Sequence, residues 1–387
     1  MTALEPREFL MIPGPTPVPD AVLEAIGQAP IGHRTPEFSK TLKEVTESLQ
    51  WLGQTSNDVF VLTGSGTSAV EAAVCNTINR GDRVLCLVGG VFGERWAKLS
   101  AAFGAEVERL VFEPGTAVDP KLLKEKLDAD KDKSIKAVII VHNETSTGVI
   151  SDLKTIAEII RAHGALSIVD AVTSFGATPL PIDEWQVDVV ATGSQKALML
   201  PPGLGFVFFG KRAWDAYAEC KTPRFYLDLG KCRKSLAENT TPFTPNVSFV
   251  RGLAVSLEMI RSEGLDKVFD RHKRMRAMLR AGIEQLGLSL FVEEGAASPS
   301  ITAILPPDGI SVADIRKGLK TDFKILVADG QEALKGKIFR IGHMGYVFER
   351  DILMTLAALE SVLTKLGHKC QPGAAVKAAA GVLSSVG

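Results

Sequence analysis

Two charged residues stand where the sequence is otherwise apolar. Asp170 ends the run Leu-Ser-Ile-Val at residues 166–169, so it is expected at the carboxyl edge of a sheet, where open α/β folds bind ligands. Lys196 follows after one more predicted strand, among few other charges. A lysine in apolar surroundings has a lowered pKa, which favours the neutral amine that forms a Schiff base. Taken singly, Asp170 could equally be a turn or cap residue, and Lys196 a surface group.

A glycine turn precedes both residues. Residues 64–69 read Gly-Ser-Gly-Thr-Ser-Ala and fit GxGxxA between a predicted strand and helix, where backbone N–H groups and the helix dipole receive phosphate. A purely structural turn is the alternative. A dinucleotide fold would place an acid at the end of the next strand to hold a ribose, but that strand runs into Gly89 and Gly90. We therefore favour the phosphate of a compact cofactor.

Other chemistries have little support. The sequence has no GxxxxGK[ST], HExxH or GxSxG motif, and its six histidines show no metal-ligand spacing. P-loop, metal-dependent and serine-hydrolase functions are disfavoured. Arg340 follows an apolar strand and could offer its guanidinium to a carboxylate or form a structural ion pair.

The elements that must position these residues alternate between strand and helix, which predicts an α/β fold with a mainly parallel sheet covered on both faces. After about residue 250 the pattern changes to two helices followed by short strand candidates, which indicates a smaller α+β domain. The predicted strands are 60–62, 84–88, 107–111, 137–141, 166–169, 187–191 and 205–209, then 289–292, 301–305, 324–327 and 338–341. The predicted divisions are an N-terminal arm (1–20), a large domain (21–262), a small C-terminal domain (263–370) and an Ala/Gly-rich, poorly ordered tail (371–387).

Composition narrows the class of protein. The 387 residues carry 44 Lys+Arg against 45 Asp+Glu, which argues against nucleic-acid binding by bulk charge. We find neither a membrane-spanning stretch nor a signal peptide. The five cysteines contain no CxxC pair, so the expected location is the cytoplasm. The basic stretch 271–280 is predicted to be a solvated helix surface.

Together these features resemble the fold-type I pyridoxal-phosphate enzymes, which are aspartate aminotransferase-like. They are most similar to the class V aminotransferases of the alanine–glyoxylate and serine–glyoxylate or serine–pyruvate group. The resemblance covers nearly the whole chain. It is carried by Pro13-Gly14-Pro15-Thr16-Pro17, Gly32-His33-Arg34, Gly64-Ser65-Gly66-Thr67, Glu144-Thr145-Ser146-Thr147-Gly148, Val169-Asp170, Gly193-Ser194-Gln195-Lys196-Ala197, Phe225-Tyr226-Leu227-Asp228 and Arg340-Ile341-Gly342.

The resemblance implies pyridoxal 5'-phosphate as the cofactor. Lys196 would form the internal aldimine and, once released by the amino acid, move a proton between the substrate α-carbon and the cofactor carbon. Asp170 would pair with the protonated pyridine nitrogen and keep the ring an electron sink. The residues implied to hold the remaining cofactor groups are Ser65, Gly66, Thr67 and Gln195 for the phosphate and Thr145 for the phenolic oxygen.

The resemblance also implies contacts beyond these groups. Phe92 stands where family members place an aromatic that stacks on the ring, although many carry Trp there. Thr244 lies in a segment that reaches the phosphate of the neighbouring subunit, so a homodimer with shared sites is expected. Arg340 would bind the substrate α-carboxylate with two hydrogen bonds.

The implied activity is transfer of an amino group between small molecules. The segment around Gly14 and residues 32–34 would close over the site and leave room only for small amino acids. We therefore predict a pyridoxal-phosphate-dependent transaminase that moves the amino group of alanine or serine to glyoxylate or pyruvate, in a ping-pong mechanism through aldimine and pyridoxamine forms. The choice among these pairs depends on one or two pocket contacts.

Four alternatives stay open. A cysteine desulfurase-like lyase usually has His before the lysine and a cysteine on a C-terminal loop, whereas this chain has Gln195 and no cysteine between Cys232 and Cys370. A phosphonate-directed aminotransferase would use Arg34 for a second anionic group. The others are a non-catalytic subunit that keeps the fold and a nicotinamide-dependent dehydrogenase.

Overall fold

The computed structural model describes residues 6–384, so residues 1–5 of the predicted arm and 385–387 of the predicted tail lie outside the described residues. Within 6–384 there are fourteen strands and thirteen α-helices. The strands are β1 (Phe9–Leu10), β2 (Asp58–Thr63), β3 (Arg83–Val88), β4 (Glu106–Val111), β5 (Ile135–Val141), β6 (Asn143–Glu144), β7 (Val149–Ile150), β8 (Leu166–Asp170), β9 (Val189–Gly193), β10 (Leu204–Phe209), β11 (Ile301–Ile304), β12 (Ile325–Leu326), β13 (Ala328–Asp329) and β14 (Phe339–Gly342). The helices are α1 (Asp20–Gly27), α2 (Pro36–Leu52), α3 (Gly66–Thr77), α4 (Val91–Ala102), α5 (Pro120–Ala129), α6 (Leu153–His163), α7 (Lys211–Glu219), α8 (Leu229–Leu236), α9 (Val247–Glu263), α10 (Leu265–Gln285), α11 (Val312–Phe323), α12 (Glu349–Lys365) and α13 (Ala374–Ser384). No helix in this described range is long and apolar enough to cross a membrane.

A seven-stranded sheet forms the centre of the molecule. Its strand order is β2-β10-β9-β8-β5-β3-β4, and all neighbours are parallel except that β10 runs antiparallel to both β2 and β9. The predicted α/β fold with a mainly parallel sheet is therefore confirmed. Because parallel strands deliver their carboxyl ends to one edge, Asp170 at the end of β8 and Gly193 at the end of β9 meet there.

Both faces of this sheet are covered, as the near-continuous apolar strands predict. Successive side chains of a strand point to opposite faces. In β5, Val138 and Ile140 belong to one buried cluster with α2, α6 and α9, whereas Ala137 and Ile139 belong to another with α3 and α4. The two clusters hold the sheet rigidly and leave its carboxyl edge as the place where loops and helix starts converge.

Local capping residues place several helices as predicted. Asp119 caps α5 ahead of Pro120, and its side chain accepts the Lys121 N–H. Asp152 caps α6 in the same way, and Gly164 ends α6 in a left-handed conformation with φ of +100°. These short-range signals determine where the chain turns back toward the sheet edge.

A second sheet lies near the C-terminus. Strands β11, β14 and β13 are antiparallel and share a buried cluster with α10, α11, α12 and α13. The N-terminal strand β1 pairs in parallel with β12 beside this cluster. This sheet matters for the site because β14 carries Arg340.

Three sequence-based expectations are wrong. Residues 289–292 form no strand, and only Leu290 makes a single bridge to Ile304. The predicted poorly ordered tail contains α13, whose Ala375 and Ala379 are completely buried in the cluster that also includes α10. Alanine is a strong helix former, and its small side chain allows close packing, so the composition that suggested disorder instead suits a docked helix.

The basic stretch 271–280 is also not a solvated surface. Arg271 and Arg280 are at most 9% exposed. Arg271 pairs with Glu263 and donates to the Gly345 carbonyl at 2.9 Å, while Arg280 pairs with Glu294. Their charges hold α10 against neighbouring segments and are not available to a partner.

Candidate active site

Lys196 lies in a tight loop directly after β9. Its carbonyl accepts the Thr16 hydroxyl at 2.9 Å, and its side chain is only 8% exposed, with Nζ donating to the Pro13 carbonyl. Burial, with a smaller contribution from the positive charge of Arg340, lowers the pKa of this amine to about 8, although Asp170 opposes the shift. Such an amine is partly neutral near physiological pH and can act as a nucleophile or a base.

Asp170 presents a buried carboxylate at the same sheet edge. Oδ1 accepts the Val172 N–H at 2.8 Å, and Oδ2 accepts the indole N–H of Trp96 at 2.9 Å. Burial raises the pKa of this carboxyl to about 6 against these two hydrogen bonds; Glu144 adds to the rise and Lys196 reduces it. The carboxylate is therefore mostly ionised at neutral pH in apolar surroundings, which suits a protonated ring nitrogen.

Arg340 enters the site from β14 and is only 4% exposed. Nε and Nη2 donate to the Asp329 carbonyl at 3.0 and 2.6 Å, and Nη1 donates to the Thr145 carbonyl at 2.8 Å. A longer bond from Nη1 to Gln331 Oε1 at 3.4 Å brings the number of guanidinium N–H groups in use to four of five, so Nη2 keeps one for a ligand. Burial lowers the pKa of Arg340 to about 10, which leaves it charged at neutral pH. A cation held in this way can bind a carboxylate.

One cavity, which we call the Lys196 pocket, is lined by both Lys196 and Arg340. Its lining includes Pro13, Gly14, Phe92, Thr145, Lys196 and Arg340, together with Arg316, Lys320 and residues 326–331. Gly14 has φ of +135°, and a Cβ there would lie 2.8 Å from Lys196 Nζ. Only glycine therefore leaves the amine its position, because any side chain would displace it.

The predicted phosphate turn lies at the start of α3. Ser65 is the N-cap residue, yet its hydroxyl makes no capping hydrogen bond, and both Ser65 and Thr67 are exposed. Gly66 packs against the end of β9, where a Cβ on Gly193 would lie 3.0 Å from Gly66 Cα. Free N–H groups and two hydroxyls at a helix start favour an anion, and the close glycine contact places them beside the loop of Lys196.

Gln195 links this turn to the lysine loop. Its Oε1 is buried and has no hydrogen-bond partner among residues 6–384. A Cβ on Gly193 would lie 3.0 Å from that oxygen, so the amide faces the same glycine that touches Gly66. Buried polar atoms are nearly always bonded, so the unpaired Gln195 Oε1 marks a place where a hydrogen-bond donor would bind.

Phe92 and Thr145 face the Lys196 pocket from different elements. Phe92 is in the first turn of α4, and the Arg95 guanidinium lies 4.6 Å from its ring centroid. The Thr145 hydroxyl is 2.6 Å from that of Thr173. The structure thus brings six predicted residues around one amine: Gly14, Phe92, Thr145, Asp170, Gln195 and Arg340.

Two residues that hold this arrangement were not assigned a role from the sequence. Trp96 bonds Asp170, and Glu144 accepts the N–H groups of Phe92 and Gly93 at 3.2 and 3.1 Å. A carboxylate at a helix start is favoured by the helix dipole, so Glu144 fixes the start of α4. Glu144 is the only acid between residues 137 and 151, which is a usable signal, whereas no sequence pattern indicated Trp96.

Thr244 and Arg34 lie apart from the Lys196 pocket. Thr244 is exposed and lines a separate groove with Thr63, Tyr226 and neighbouring residues of the 240–245 loop. Arg34 bonds that loop, donating to the Thr241 carbonyl at 2.6 Å and to the Thr240 hydroxyl. Arg34 is therefore engaged within its own chain and lends no support to the phosphonate alternative.

Comparison with known proteins agrees with this geometry. The profile of the family described as "Aminotransferase class-V" matches residues 9–371. The chain belongs to the class V aminotransferases. Its predicted family and its fold type are therefore confirmed.

Three similar proteins carry different names. The chain is 51% identical over 384 residues to the "Soluble hydrogenase 42 kDa subunit" of Anabaena cylindrica, covering 99% of this chain and 100% of that one. It is 36% identical to the L-aspartate–glyoxylate aminotransferase of Paracoccus denitrificans, covering 98% and 96%. The crystal structure of alanine–glyoxylate aminotransferase from Nostoc sp. has a TM-score of 0.89 at 31% identity, covering 94% and 97%.

Class V aminotransferases use pyridoxal phosphate, and the residues here fit that group. The open helix start with Ser65 suits its phosphate. Asp170 suits its ring nitrogen, and the Lys196 amine suits its aldehyde. Every one of these groups lies at the carboxyl edge of the central sheet.

Proposed function

We propose that this aminotransferase moves the amino group of alanine or serine to glyoxylate or pyruvate. The observation that carries the proposal is the Lys196 pocket, in which a buried amine of lowered pKa shares one cavity with the Arg340 guanidinium. An amine that handles protons and a cation that holds a carboxylate are the two groups that an α-amino acid requires.

Each residue then has a role that follows from its contacts. When bound, pyridoxal phosphate supplies a carbonyl that accepts the amino group and a ring that takes up electrons. Lys196 would bind the carbonyl carbon in the resting enzyme and would carry the proton to and from the substrate α-carbon. Asp170 would keep the ring nitrogen protonated, and Thr145 would bond the ring's phenolic oxygen.

The substrate end of the pocket orients the amino acid. Arg340 would bind the α-carboxylate through the remaining Nη2 N–H and through Nη1 in exchange for its long bond to Gln331, while three other N–H groups hold the guanidinium against main-chain carbonyls. Pro13 and Gly14 cover the amine so closely that bulk is excluded on that side. This supports small donors such as alanine and serine.

The phosphate end needs a second copy of the chain. Ser65, Gly66, Thr67 and Gln195 would hold the phosphate from one subunit, and Thr244 would add its hydroxyl from the other. Thr244 is exposed, and the neighbouring aromatic Phe225 is 71% exposed, which supports an interface here. We therefore propose a homodimer whose two sites each use both chains.

A donor with a second carboxylate is the other candidate. Arg316 and Lys320 line the same pocket. Arg316 forms a long ion pair with Asp329 at 3.4 Å, and Lys320 forms one with Glu8 at 3.3 Å. The Lys320 side chain is 60% exposed. The P. denitrificans relative is named for L-aspartate. An aspartate side chain could be recognised by these two cations.

The name of the A. cylindrica relative raises the alternative of a non-catalytic subunit. A non-catalytic subunit would have no use for the buried amine of Lys196 beside the buried carboxylate of Asp170. It would also not need glycine at position 14, where a side chain would displace that amine. The lyase alternative is also disfavoured, because the lining of the pocket within residues 6–384 includes no cysteine.

The test is the visible absorption of the purified protein with its cofactor. Addition of L-alanine or L-serine should replace the band of bound pyridoxal phosphate with that of the pyridoxamine form, and glyoxylate should restore it. Parallel addition of L-aspartate distinguishes the two donor classes, and Arg316→Gln should then weaken only aspartate. A protein that binds the cofactor but responds to no amino acid contradicts the proposal.

A further inference from the structure

The carboxylate of Asp170 is held by a fully buried indole. Trp96 is 1% exposed, and its Nε1 donates to Asp170 Oδ2 at 2.9 Å while the Val172 N–H donates to Oδ1 at 2.8 Å. Trp96 stands one helical turn after Phe92 on α4, so the two aromatic side chains share one face of the helix. A single helix thus carries a pocket-lining ring and the partner of the buried acid.

An indole can only donate a hydrogen bond to a carboxyl group. Its N–H is a donor and it has no acceptor, so it can stabilise a carboxylate oxygen but cannot accept a proton from a carboxylic acid. A hydroxyl or an imidazole at this position could bond either form. The choice of donor therefore favours the ionised state of a group that burial would otherwise protonate.

The helix itself is held firmly enough to transmit this effect. Glu144 bonds the Phe92 and Gly93 N–H groups at the start of α4, and Trp96 bonds Asp170 one turn later. The helix is thereby attached to β6, which follows β5 directly, and to the end of β8. The indole nitrogen cannot move away from Asp170 without breaking the buried packing of α4.

We propose that Trp96 is a positioning residue for Asp170, whose N–H both orients the carboxylate and keeps it ionised for the cofactor's ring nitrogen. The proposal rests on the role of Asp170 in the proposed function. Trp96 touches neither cofactor nor substrate and acts only through the carboxylate.

The chain offers a matched control. Trp214 also donates its indole N–H to an aspartate, Asp58 Oδ2, at the same 2.9 Å, and it lies outside the Lys196 pocket. Trp96→Phe and Trp214→Phe each remove one indole N–H from an aspartate while keeping an aromatic ring. Any difference between them reports the position of the hydrogen bond and not the loss of a tryptophan.

The experiment titrates full-length protein, stripped of cofactor, with pyridoxal phosphate across pH values that span the pKa of Asp170, about 6. Trp96→Phe should weaken cofactor binding about ten-fold at neutral pH, the effect of losing one hydrogen bond to a charged group. The loss should grow toward acid pH, because removing the N–H raises the pKa of Asp170. Trp214→Phe should bind as the wild type does.

The other charged groups near Asp170 do not change the comparison of the two variants in the cofactor titration. Glu144 and Lys196 are the charges that act on Asp170, and both variants keep them. His142, next to the end of β5, is buried, and its pKa is lowered to about 4, so it stays neutral over the titrated range. Lys196 also titrates, with a pKa of about 8, but it is present in both variants, so the difference between their titrations reports Asp170.

Equal cofactor affinity of Trp96→Phe and Trp214→Phe at every pH would overturn the proposal and leave Trp96 as a packing residue. In the holoenzyme, Trp96→Phe should lower kcat with alanine and leave its KM unchanged, since Arg340 is untouched. A wild type that binds the cofactor but does not transaminate contradicts the proposed function alone, because the cofactor titration still tests Trp96.

Discussion

The site has two halves that differ in how completely one chain builds them. Asp170, Lys196 and Arg340 are each no more than 8% exposed, and each is bonded to groups of its own chain. Ser65, Thr67 and Thr244 are exposed, and the Ser65 hydroxyl does not even cap its helix. The first half is preorganised, whereas the second still has its binding groups turned toward solvent.

The difference separates two kinds of work. Groups that handle protons and bind the substrate carboxylate gain strength from burial, where electrostatic interactions are less screened. Groups that hold a phosphate need access, since the anion must enter from solvent and, in the proposed dimer, a second chain closes over it. We therefore expect changes in the buried half to lower turnover even at saturating cofactor, and changes in the exposed half to affect cofactor retention alone.

The largest effect is expected for Lys196→Ala. Loss of this buried amine should lower turnover by about 10⁴-fold, the upper range for a general acid–base group. Borohydride should then trap no cofactor on the protein. Lys211→Ala removes an exposed lysine paired with Asp215 and serves as the control. A reducible adduct that persists in Lys196→Ala would show that another lysine carries the cofactor.

Arg340→Gln should act on substrate more than on cofactor. The amino-acid KM should rise about 10²-fold, roughly 3 kcal/mol for charged hydrogen bonds to a carboxylate. Arg340→Lys should recover only part of this, because an ammonium lacks the planar fork. Steady-state kinetics beside a cofactor titration measures both. Loss of the cofactor from Arg340→Gln would mean that the residue is structural.

The buried amine should also leave a signature in stability. The pKa of Lys196 is about 8 in the folded chain and ordinarily about 10.4. Between these values the unfolded chain binds more protons, so the free energy of unfolding rises with pH there, while below pH 8 the full cost of burying the charge remains. In urea unfolding of cofactor-free protein, the free energy of unfolding of the wild type should rise relative to that of Lys196→Met by roughly 3 kcal/mol across this pH interval. If the difference in free energy of unfolding between the two proteins does not change with pH, the lowered pKa of Lys196 is contradicted.

The smallest effect, about ten-fold in cofactor affinity, is expected for Thr244→Val. This variant tests the division between the halves, since kcat at saturating cofactor should stay near that of the wild type. A large loss of kcat would show that the exposed half takes part in the chemistry.

Mixed dimers test whether Thr244 acts across the interface. In a dimer of one Thr244→Val chain and one Lys196→Ala chain, the only intact Lys196 would face the intact Thr244 of its partner. Such sites should bind cofactor with wild-type affinity. If they bind as weakly as the Thr244→Val homodimer, Thr244 serves its own chain and the shared-site proposal is wrong.

Local sequence signals were sufficient for the scaffold of the buried half. Asp170 and Gly193 end apolar runs, so a parallel sheet had to bring them to one edge. Asp119 and Asp152 marked two helix starts because a cap acts within three residues. In the same way, the apolar loop around Lys196 indicated a buried amine.

Contacts over long separations in sequence could not be read in this way. The bond from Trp96 to Asp170 spans 74 residues, and that from Arg340 to Thr145 spans 195. Neither pair has a spacing that a helix or strand would impose. The docking of α13 and the burial of Arg271 likewise depend on which surfaces meet, because composition alone describes only how a segment would behave in water.

The sequence by itself therefore determined the family, the alternation of strands and helices, and the residue types at the sheet edge, because hydrophobic periodicity and capping act over a few residues. The tertiary structure alone decided which of those residues share a cavity, which donor holds Asp170, and that Thr244 stands apart from the lysine of its own chain. Distances between elements arise from the packing of side chains on both faces of the sheet, and that packing is a property of the whole chain.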